Sequence, residues 1–213
     1  MQHLFWPARP SIQTGSGPCQ SAATALLWGP ESQDPGGLDN AHERAGLMIL
    51  AKPEILRQIQ EGRIRIEPYD ADAIGPASID LTLDDRLRVF NTDQHITRAD
   101  IDYRTLAEIR DIADGYLLEP GELVLGITKE RITLPEDVCG WLNSRSRFAR
   151  IGLMSHIAAP FLAPGISNRQ ILEIFNAGRN KILLTPGMRI CHVVLQECKG
   201  SAIYAGSWKD QDL

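Results

Sequence analysis

Hydrophobic and polar positions alternate over short stretches of this chain from residue 48 onward, which is the pattern of half-buried β-strands. The alternating sets are Ile64/Ile66, Ile79/Leu81/Leu83, Leu87/Val89 and Leu123/Leu125/Ile127. Turn-forming Pro-Gly pairs separate several of the stretches, in Glu119-Pro120-Gly121, Ala163-Pro164-Gly165 and Thr185-Pro186-Gly187. Many short strands with frequent turns indicate an all-β (mainly β) barrel or roll and not a βαβ fold.

One short helix is predicted directly after Met48. Pro53 suits its first turn, Ile55, Leu56 and Ile59 form one apolar face, and Gly62 is a plausible stop. A second helical stretch of one or two turns is predicted within Tyr103 to Asp111.

Residues 1–47 differ from the rest of the chain. Prolines interrupt a Gly/Ser/Gln-rich stretch that has neither a helical nor a strand period, so it can bury little apolar surface. We predict that residues 1–47 are a disordered extension or an upstream over-read of the true start, with a targeting or docking arm as the alternative. Residues 48–213 then form one domain.

Net charge and cysteine spacing argue against two classes of function, general nucleic-acid binding and zinc binding. The 213-residue chain carries a formal net charge of −5 and a pI of about 5.5, which argues against a general nucleic-acid binder but not against a nucleotide. The cysteines Cys19, Cys139, Cys191 and Cys198 lack C-x-x-C spacing, so we expect free thiols in a reducing cytoplasm and no zinc site. Adjacent strand residues such as Cys191 and His192 point to opposite faces, which disfavours joint metal binding.

Two features carry candidate chemistry. Three arginines and two serines lie within Ser144–Arg150, and guanidinium forks suit phosphate and pyrimidine-carbonyl oxygens. Glu173 is a lone acid in an otherwise apolar strand, where an unpaired carboxylate is rare. Together they predict catalysis on a phosphorylated small molecule, while a surface salt bridge for the arginines and a paired structural role for Glu173 are the alternatives.

Four blocks of sequence then carry a family resemblance. They are Gly75-Pro76-Ala77-Ser78-Ile79-Asp80-Leu81, Gly140-Trp141-Leu142-Asn143-Ser144-Arg145-Ser146-Arg147-Phe148-Ala149-Arg150-Ile151-Gly152-Leu153, Leu172-Glu173-Ile174-Phe175-Asn176-Ala177-Gly178 and Pro186-Gly187-Met188-Arg189-Ile190-Cys191. In this order and spacing they resemble the dCTP deaminase branch of the dUTPase superfamily. The resemblance implies a distorted jelly-roll, β-clip fold and homotrimers with active sites between subunits. It also implies zinc-independent hydrolysis of dCTP to dUTP and ammonia, with Mg²⁺ bound to the triphosphate and no nucleic-acid or membrane partner.

The resemblance also assigns roles to residues. Glu173 matches the general acid/base, Ser146 the residue that orients the catalytic water, and Arg150 the arginine that anchors the site around the base. The remaining substrate-binding positions are Arg145, Arg147, Ala159, Ile171, Leu172, Tyr204 and Gln211. Asp80 and His156 match positions near the site. A turn aspartate is an equally ordinary explanation for Asp80, and a lone histidine at such a position is more often structural.

The chain departs from the family pattern at two places. Ala163 stands where the superfamily commonly has an aspartate that contacts the sugar 3′-hydroxyl, a contact that Asn168 or Arg169 could replace. The tail ends in Tyr204–Gln211 with Ser207 at the family's lysine position, although Lys209 could compensate. Trp208 could stack on a base, pack the lid or pack on the barrel rim. Because alanine cannot act as a base, Ala163 argues against diphosphatase activity.

Several functions therefore stay open beside dCTP deamination. The alternatives are a dUTP diphosphatase, a bifunctional deaminase-diphosphatase and a non-catalytic nucleotide-binding or regulatory homologue. A structural β-module is the last alternative, and it leaves both Glu173 and the arginines unexplained. The sequence leaves inhibition by dTTP undecided.

Overall fold

The computed structural model describes residues 48–91, 96–97 and 100–213. Its helices are α1 (Lys52–Gln60) and α2 (Ser146–Ala149), and single 3₁₀ turns lie at Ala71–Ala73 and Tyr103–Leu106. The strands are β1 (Arg65–Glu67), β2 (Ile79–Phe90), β3 (Ala107–Asp111), β4 (Tyr116–Leu118), β5 (Leu123–Thr133), β6 (Val138–Ser144), β7 (Leu153–Met154), β8 (Phe161–Leu162), β9 (Ser167–Asn176), β10 (Ile182–Leu184) and β11 (Arg189–Glu197). The predicted all-β class is confirmed. The predicted extension over residues 1–47 lies outside the described residues.

The strands form one large sheet and one small ribbon, and every pair is antiparallel. The large sheet runs in the order β7-β9-β5-β2-β11-β6-β8, with β1 paired to β5 and β3 paired to β2. The ribbon consists of β10 and β4. Register shifts interrupt the β2–β5, β2–β11 and β5–β9 pairs, and such bulges increase the local twist and let a long sheet curl around its own core.

The core lies inside the curled sheet. Its fully buried side chains come largely from alternate positions of the long strands, including Ile79, Leu81 and Leu83 of β2 and Leu172 and Ile174 of β9. Full burial of each such side chain contributes about 1.5–3 kcal/mol. The predicted period of two in β2 is therefore confirmed, because one face of the strand supplies the core.

Helix α1 covers one end of this core, as predicted. Ile55 is fully buried, Leu56 and Ile59 pack against the core, and Pro53 lies in the first turn. Gly62 follows the helix with φ +71°, a left-handed conformation that suits glycine after a helix end. No helix in these described ranges is long and apolar enough to span a bilayer.

One further local prediction is confirmed and another was wrong in part. The helical stretch predicted within residues 103–111 is a single 3₁₀ turn, after which the chain continues as β3 and pairs with β2. In β5 the core face holds Val124 and Gly126, whereas Leu123 is 37% exposed and Leu125 is half-buried. The predicted Leu123/Leu125/Ile127 face therefore lies on the side of the sheet that carries Glu173, where Ile127 is buried opposite Ile171.

Candidate active site

Glu173 projects from β9 beside two fully buried neighbours, Leu172 and Ile174. The side chain is half-buried, and two backbone groups contact it. Its Oε2 accepts hydrogen bonds from the backbone N–H groups of Ile157 (2.8 Å) and Ala158 (2.7 Å). Two backbone donors fix this oxygen and orient the carboxylate, because hydrogen bonds to an ionised acceptor are comparatively strong.

A cavity of about 400 Å³ lies in front of this carboxylate. Leu125, Leu162, Ala163, Ile166 and Ile171 provide an apolar wall. The same cavity is lined by the polar side chains of His156, Asn168, Gln170 and Tyr103, by Ala159 and Phe161, and by Tyr204, Trp208 and Gln211 of the C-terminal segment. A mostly apolar cavity with a few convergent polar groups is the usual form of a small-molecule site.

His156 is half-buried in this cavity, and its Nδ1 is a buried atom without a hydrogen-bond partner. Burial lowers the pKa of His156 below its usual value of 6.5, and the nearby Glu173 carboxylate only partly opposes that effect. The imidazole is therefore neutral near pH 7. Sequence reasoning gave this histidine low weight.

Two hydrogen bonds with β9 hold the C-terminal segment against the cavity. Asn168 Nδ2 donates to the backbone oxygen of Trp208 (3.1 Å), and Gln211 Nε2 donates to the backbone oxygen of Arg169 (2.8 Å). The Trp208 ring is half exposed and lies 6.2 Å from the Tyr103 ring, centroid to centroid. The predicted positions Tyr204 and Gln211 therefore line the same cavity as Glu173.

The arginine-serine block lies elsewhere on the subunit. Arg145 forms an ion pair with Asp80 (3.1 Å) and donates to the backbone oxygen of Arg189 (3.3 Å). Ser146 begins α2 and is exposed, and Arg147 is exposed with its guanidinium 4.6 Å from the centre of the Phe148 ring. The buried Phe148 anchors this short helix in the core.

Arg150 lines a second cavity together with Gly152, Gly178 and Lys181. Gly152 adopts φ +89°, and a Cβ on it would come within 2.5 Å of the Gly178 backbone nitrogen. Ala177 N–H donates to Gly152 O (2.8 Å), so the two chain segments touch backbone to backbone. Glycine is required here for both reasons, and the contact sets the position of Arg150.

Two serines, Ser144 and Ser155, join the two ends of the segment that carries the arginines. The hydroxyls of Ser144 and Ser155 lie 2.8 Å apart, and the Ser155 N–H donates to Ser144 Oγ (2.9 Å). Ser144 ends β6 and Ser155 follows β7, so these bonds close the Arg145–Met154 segment into a compact unit on the sheet.

The structure thus divides the predicted site residues into two groups. Glu173, Ala159, Ile171, Tyr204 and Gln211 line one cavity, and the Leu172 side chain lies in the core behind it. The other group does not line that cavity within one described subunit, and its members are Arg145, Ser146, Arg147 and Arg150.

Of the two residues expected to replace the missing aspartate contact, Asn168 lines the cavity and Arg169 does not, and the sequence analysis missed Tyr103 and Gln170. Arg169 donates from Nε to the backbone oxygen of Thr128 (2.5 Å) and pairs with Asp84, so it does not line the cavity. Tyr103, Asn168 and Gln170 do line it. The available signal for the last two was a pair of amides at alternate positions of a strand that is otherwise apolar toward the core.

No three His, Cys, Asp or Glu side chains converge on a metal-binding point within the ranges that the structure describes. Cys191 is fully buried on β11, and His192 beside it is only half-buried.

Comparison with known proteins identifies the family. A family profile described as dCTP deaminase-like matches residues 49–198. A dUMP-forming dCTP deaminase from Parafrankia sp. (strain EAN1pec) is 38% identical over 175 residues, which is 77% of this chain and 87% of the relative. A dCTP deaminase from Marinomonas sp. (strain MWYL1) is 39% identical over 167 residues, which is 73% of this chain and 86% of the relative.

A solved structure has the same fold. The crystal structure of 2′-deoxycytidine 5′-triphosphate deaminase from Agrobacterium tumefaciens superposes with a TM-score of 0.57 at 23% identity. The match covers 71% of this chain and 48% of that one, so this chain spans about half the length of that protein. The predicted dUTPase-like fold class is confirmed. By its profile match and the extent of its relatives, the chain belongs to the dCTP deaminase-like family.

Proposed function

We propose that this protein catalyses the hydrolytic deamination of dCTP without zinc, with Glu173 as the general acid/base. The observation that carries the proposal is the fixed carboxylate of Glu173 in a largely apolar cavity of nucleoside size. The printed activity of the relatives, dCTP deamination, supports the choice of substrate.

The geometry of Glu173 suggests how protons move. Oε2 accepts two backbone hydrogen bonds, which leaves Oε1 as the oxygen that takes a proton from water. The water oxygen forms a bond to C4 of cytosine, and Glu173 passes the water proton to N3. Glu173 then carries the remaining proton of the new C4 hydroxyl to the exocyclic nitrogen, the C4–N bond breaks as the C4 carbonyl forms, and ammonia leaves a uracil ring.

The arginine-serine block completes the site in this proposal from a neighbouring subunit of a homotrimer. Within one subunit Ser146 and Arg150 do not line the Glu173 cavity, yet both are exposed and free to meet another surface. In this arrangement Ser146 orients the water, Arg150 anchors the site around the base, and Arg145 and Arg147 contact phosphates. Arg145 must then exchange or share its ion pair with Asp80.

Magnesium enters this proposal as part of the substrate, bound to the triphosphate. The described residues show no acidic cluster that would hold the ion on the protein. The negative charge of the triphosphate is then neutralised partly by arginines of the protein and partly by the Mg²⁺ that the substrate carries.

We propose dUTP as the product, because Ala163 has no carboxylate that could activate water against the triphosphate. A second candidate is a bifunctional enzyme that releases dUMP, and the relative from Parafrankia, named dUMP-forming, favours it. A diphosphatase step in this chain would require another residue to act as its base.

Product analysis tests both proposals in one reaction. The full chain is incubated with dCTP and Mg²⁺, nucleotides are separated by chromatography, and ammonia is assayed. Ammonia with dUTP supports the first proposal, and ammonia with dUMP and pyrophosphate supports the second. Unchanged dCTP, with the Marinomonas relative active in parallel, overturns both.

A further inference from the structure

Asp80 and His192 occupy directly opposed positions on β2 and β11. Side chains at such positions project from the same face of a sheet, with their Cβ atoms about 4.5–5.5 Å apart. Both side chains are half-buried, and they project away from the core that their strand neighbours Leu81 and Val193 fill. A carboxylate and an imidazole therefore lie side by side on the outer face of the sheet.

Arg145 is the ion-pair partner of Asp80. Its Nη1 lies 3.1 Å from Oδ2 of Asp80 and donates to the backbone oxygen of Arg189 over 3.3 Å. A single nitrogen therefore makes both contacts. The Arg145 and Asp80 side chains are only 27% and 18% exposed, so water screens this pair less than it screens an ion pair on the open surface.

The proposed function gives Arg145 a second partner, the triphosphate of the nucleotide. A phosphate binds a guanidinium through two parallel charge-assisted hydrogen bonds, which compete with the contact to Asp80. When Arg145 turns to the phosphate, the Asp80 carboxylate stays half-buried but loses its cation. An uncompensated charge away from water is unfavourable, so a replacement cation beside Asp80 favours nucleotide binding.

The next cation along β11 is already engaged. Arg189 donates from Nη2 to the carboxylate of Asp70 (2.6 Å) and from Nη1 to the backbone oxygen of Asp72 (3.1 Å). On its other side His192 lies opposite Asn143 of β6, which is neutral. His192 itself is then the neighbouring group that gains a positive charge by taking up a proton.

Three titratable or charged groups face His192. They are Asp80 from β2, Arg145 at the start of α2, and His156 from the segment after β7. Burial lowers the pKa of His192 most, Asp80 opposes that shift, and the charges of Arg145 and His156 lower the pKa further. His192 is therefore neutral near pH 7 while Arg145 holds Asp80. Moving the Arg145 charge onto a phosphate removes one cause of that lowered pKa.

We infer that His192 is a positioning residue, which takes up a proton and becomes the partner of Asp80 when Arg145 turns to the triphosphate. The inference rests on the proposed function, in which Arg145 contacts phosphates. The proton comes from solvent and returns to it when the nucleotide leaves, and His192 itself does not touch the nucleotide. By linkage, His192 should make dCTP bind more tightly as the pH falls from about 8 to about 6.

Calorimetry in buffers of different ionisation heat counts the protons taken up on binding. The parent protein is the full chain carrying Glu173→Gln, which prevents turnover, and it is titrated with dCTP and excess Mg²⁺. Adding His192→Asn should remove about half a proton of uptake near pH 6.5, and it should reduce the gain in affinity between about pH 8 and pH 6 by about three- to tenfold. Protons that the nucleotide itself exchanges are common to both proteins and cancel in the comparison.

His156→Asn is the matched control. It removes the other half-buried imidazole, so it should leave the proton uptake in place whatever it does to the affinity itself. Asp80→Asn is the second variant, because without this carboxylate His192 has no charge to balance and the uptake should disappear. Asp80→Asn decides the matter if His192→Asn does not fold.

The inference is overturned if a folded His192→Asn or Asp80→Asn variant takes up as many protons as the parent protein, or if His156→Asn removes the uptake. Loss of uptake in His192→Asn but not in Asp80→Asn would show that His192 responds to the phosphates directly, which also contradicts the exchange. Tight dCTP binding without a proton difference removes this inference alone. No binding of dCTP at any pH removes the proposed function, and this inference with it.

Discussion

The backbone N–H of Ala158 donates to the carboxylate of Glu173 over 2.7 Å, across fifteen positions of sequence. Ile157 donates to the same oxygen, so the segment before β8 determines which oxygen of Glu173 remains available. Main-chain N–H groups therefore orient the Glu173 carboxylate. A side-chain substitution at Ile157 or Ala158 leaves these donors in place.

The first prediction concerns this carboxylate. Glu173→Gln keeps the shape of the side chain but removes its capacity to take a proton, so kcat for ammonia release should fall by about 10²–10⁴-fold. Binding of dCTP, measured by calorimetry, should stay within a few-fold of wild type. Glu67→Gln, an exposed position on β1, is the control and should leave both quantities unchanged. A fully active Glu173→Gln enzyme would refute the assigned mechanism.

The second prediction concerns the sharing of the site between subunits. Glu173→Gln and Arg150→Ala should each be inactive alone. Co-refolding them in equal amounts should restore about a quarter of the sites in random trimers, where one subunit supplies Glu173 and its neighbour Arg150. Wild-type protein refolded in the same way shows what fraction of activity survives the procedure, and the activity of the mixture is divided by that fraction. If both residues act within a single subunit, no mixed assembly contains an intact site and the mixture stays inactive.

The third prediction concerns the backbone contact that positions Arg150. Gly62 and Gly152 both have positive φ, but only at Gly152 would a Cβ meet backbone atoms. Gly62→Ala should lower the free energy of unfolding by about 1–2 kcal/mol, the cost of a left-handed alanine. Gly152→Ala should cost distinctly more and reduce kcat as well, because Arg150 lies two residues away. Urea titrations and ammonia assays measure both effects, and equal costs at the two sites would contradict the assigned contact.

The fourth prediction concerns pH. Burial lowers the pKa of His192 and of His156 below the usual 6.5. Because both histidines have their usual pKa in the unfolded chain, the unfolded state binds more protons than the folded state as the pH falls through that value. The free energy of unfolding should therefore decrease as the pH falls from about 7 toward 5. For His192 burial is the largest cause of the lowered pKa. The carboxylate of Asp80 partly opposes this shift, while the charges of Arg145 and His156 lower the pKa further.

His192→Asn should make that decrease shallower, because one of the two groups no longer titrates. Urea unfolding at several pH values and one fixed protein concentration gives the slope. An unchanged slope in His192→Asn would show that His192 has the same proton affinity in both states.

Local sequence was enough to predict most of the secondary structure. Helix α1, strand β2 and the three Pro-Gly turns follow from side-chain period and from the conformations that proline and glycine adopt. Gly121, Gly165 and Gly187 all have positive φ, as such turns require. The error lay in the face of β5 that meets the core, which pairing with β2 and β9 decides and the local alternation of Leu123 and Leu125 does not.

The sequence by itself thus determined the β architecture, the candidate acid Glu173 and the family motifs, because these depend on residues near one another in the chain. Only the tertiary structure decided which residues share a cavity. It placed Gln170 in the cavity and turned Arg169 toward Asp84, and it left Arg150 in a different cavity from Glu173. Strand twist, register shifts and contacts between distant segments decide these outcomes, and none of them has a local signature in the sequence.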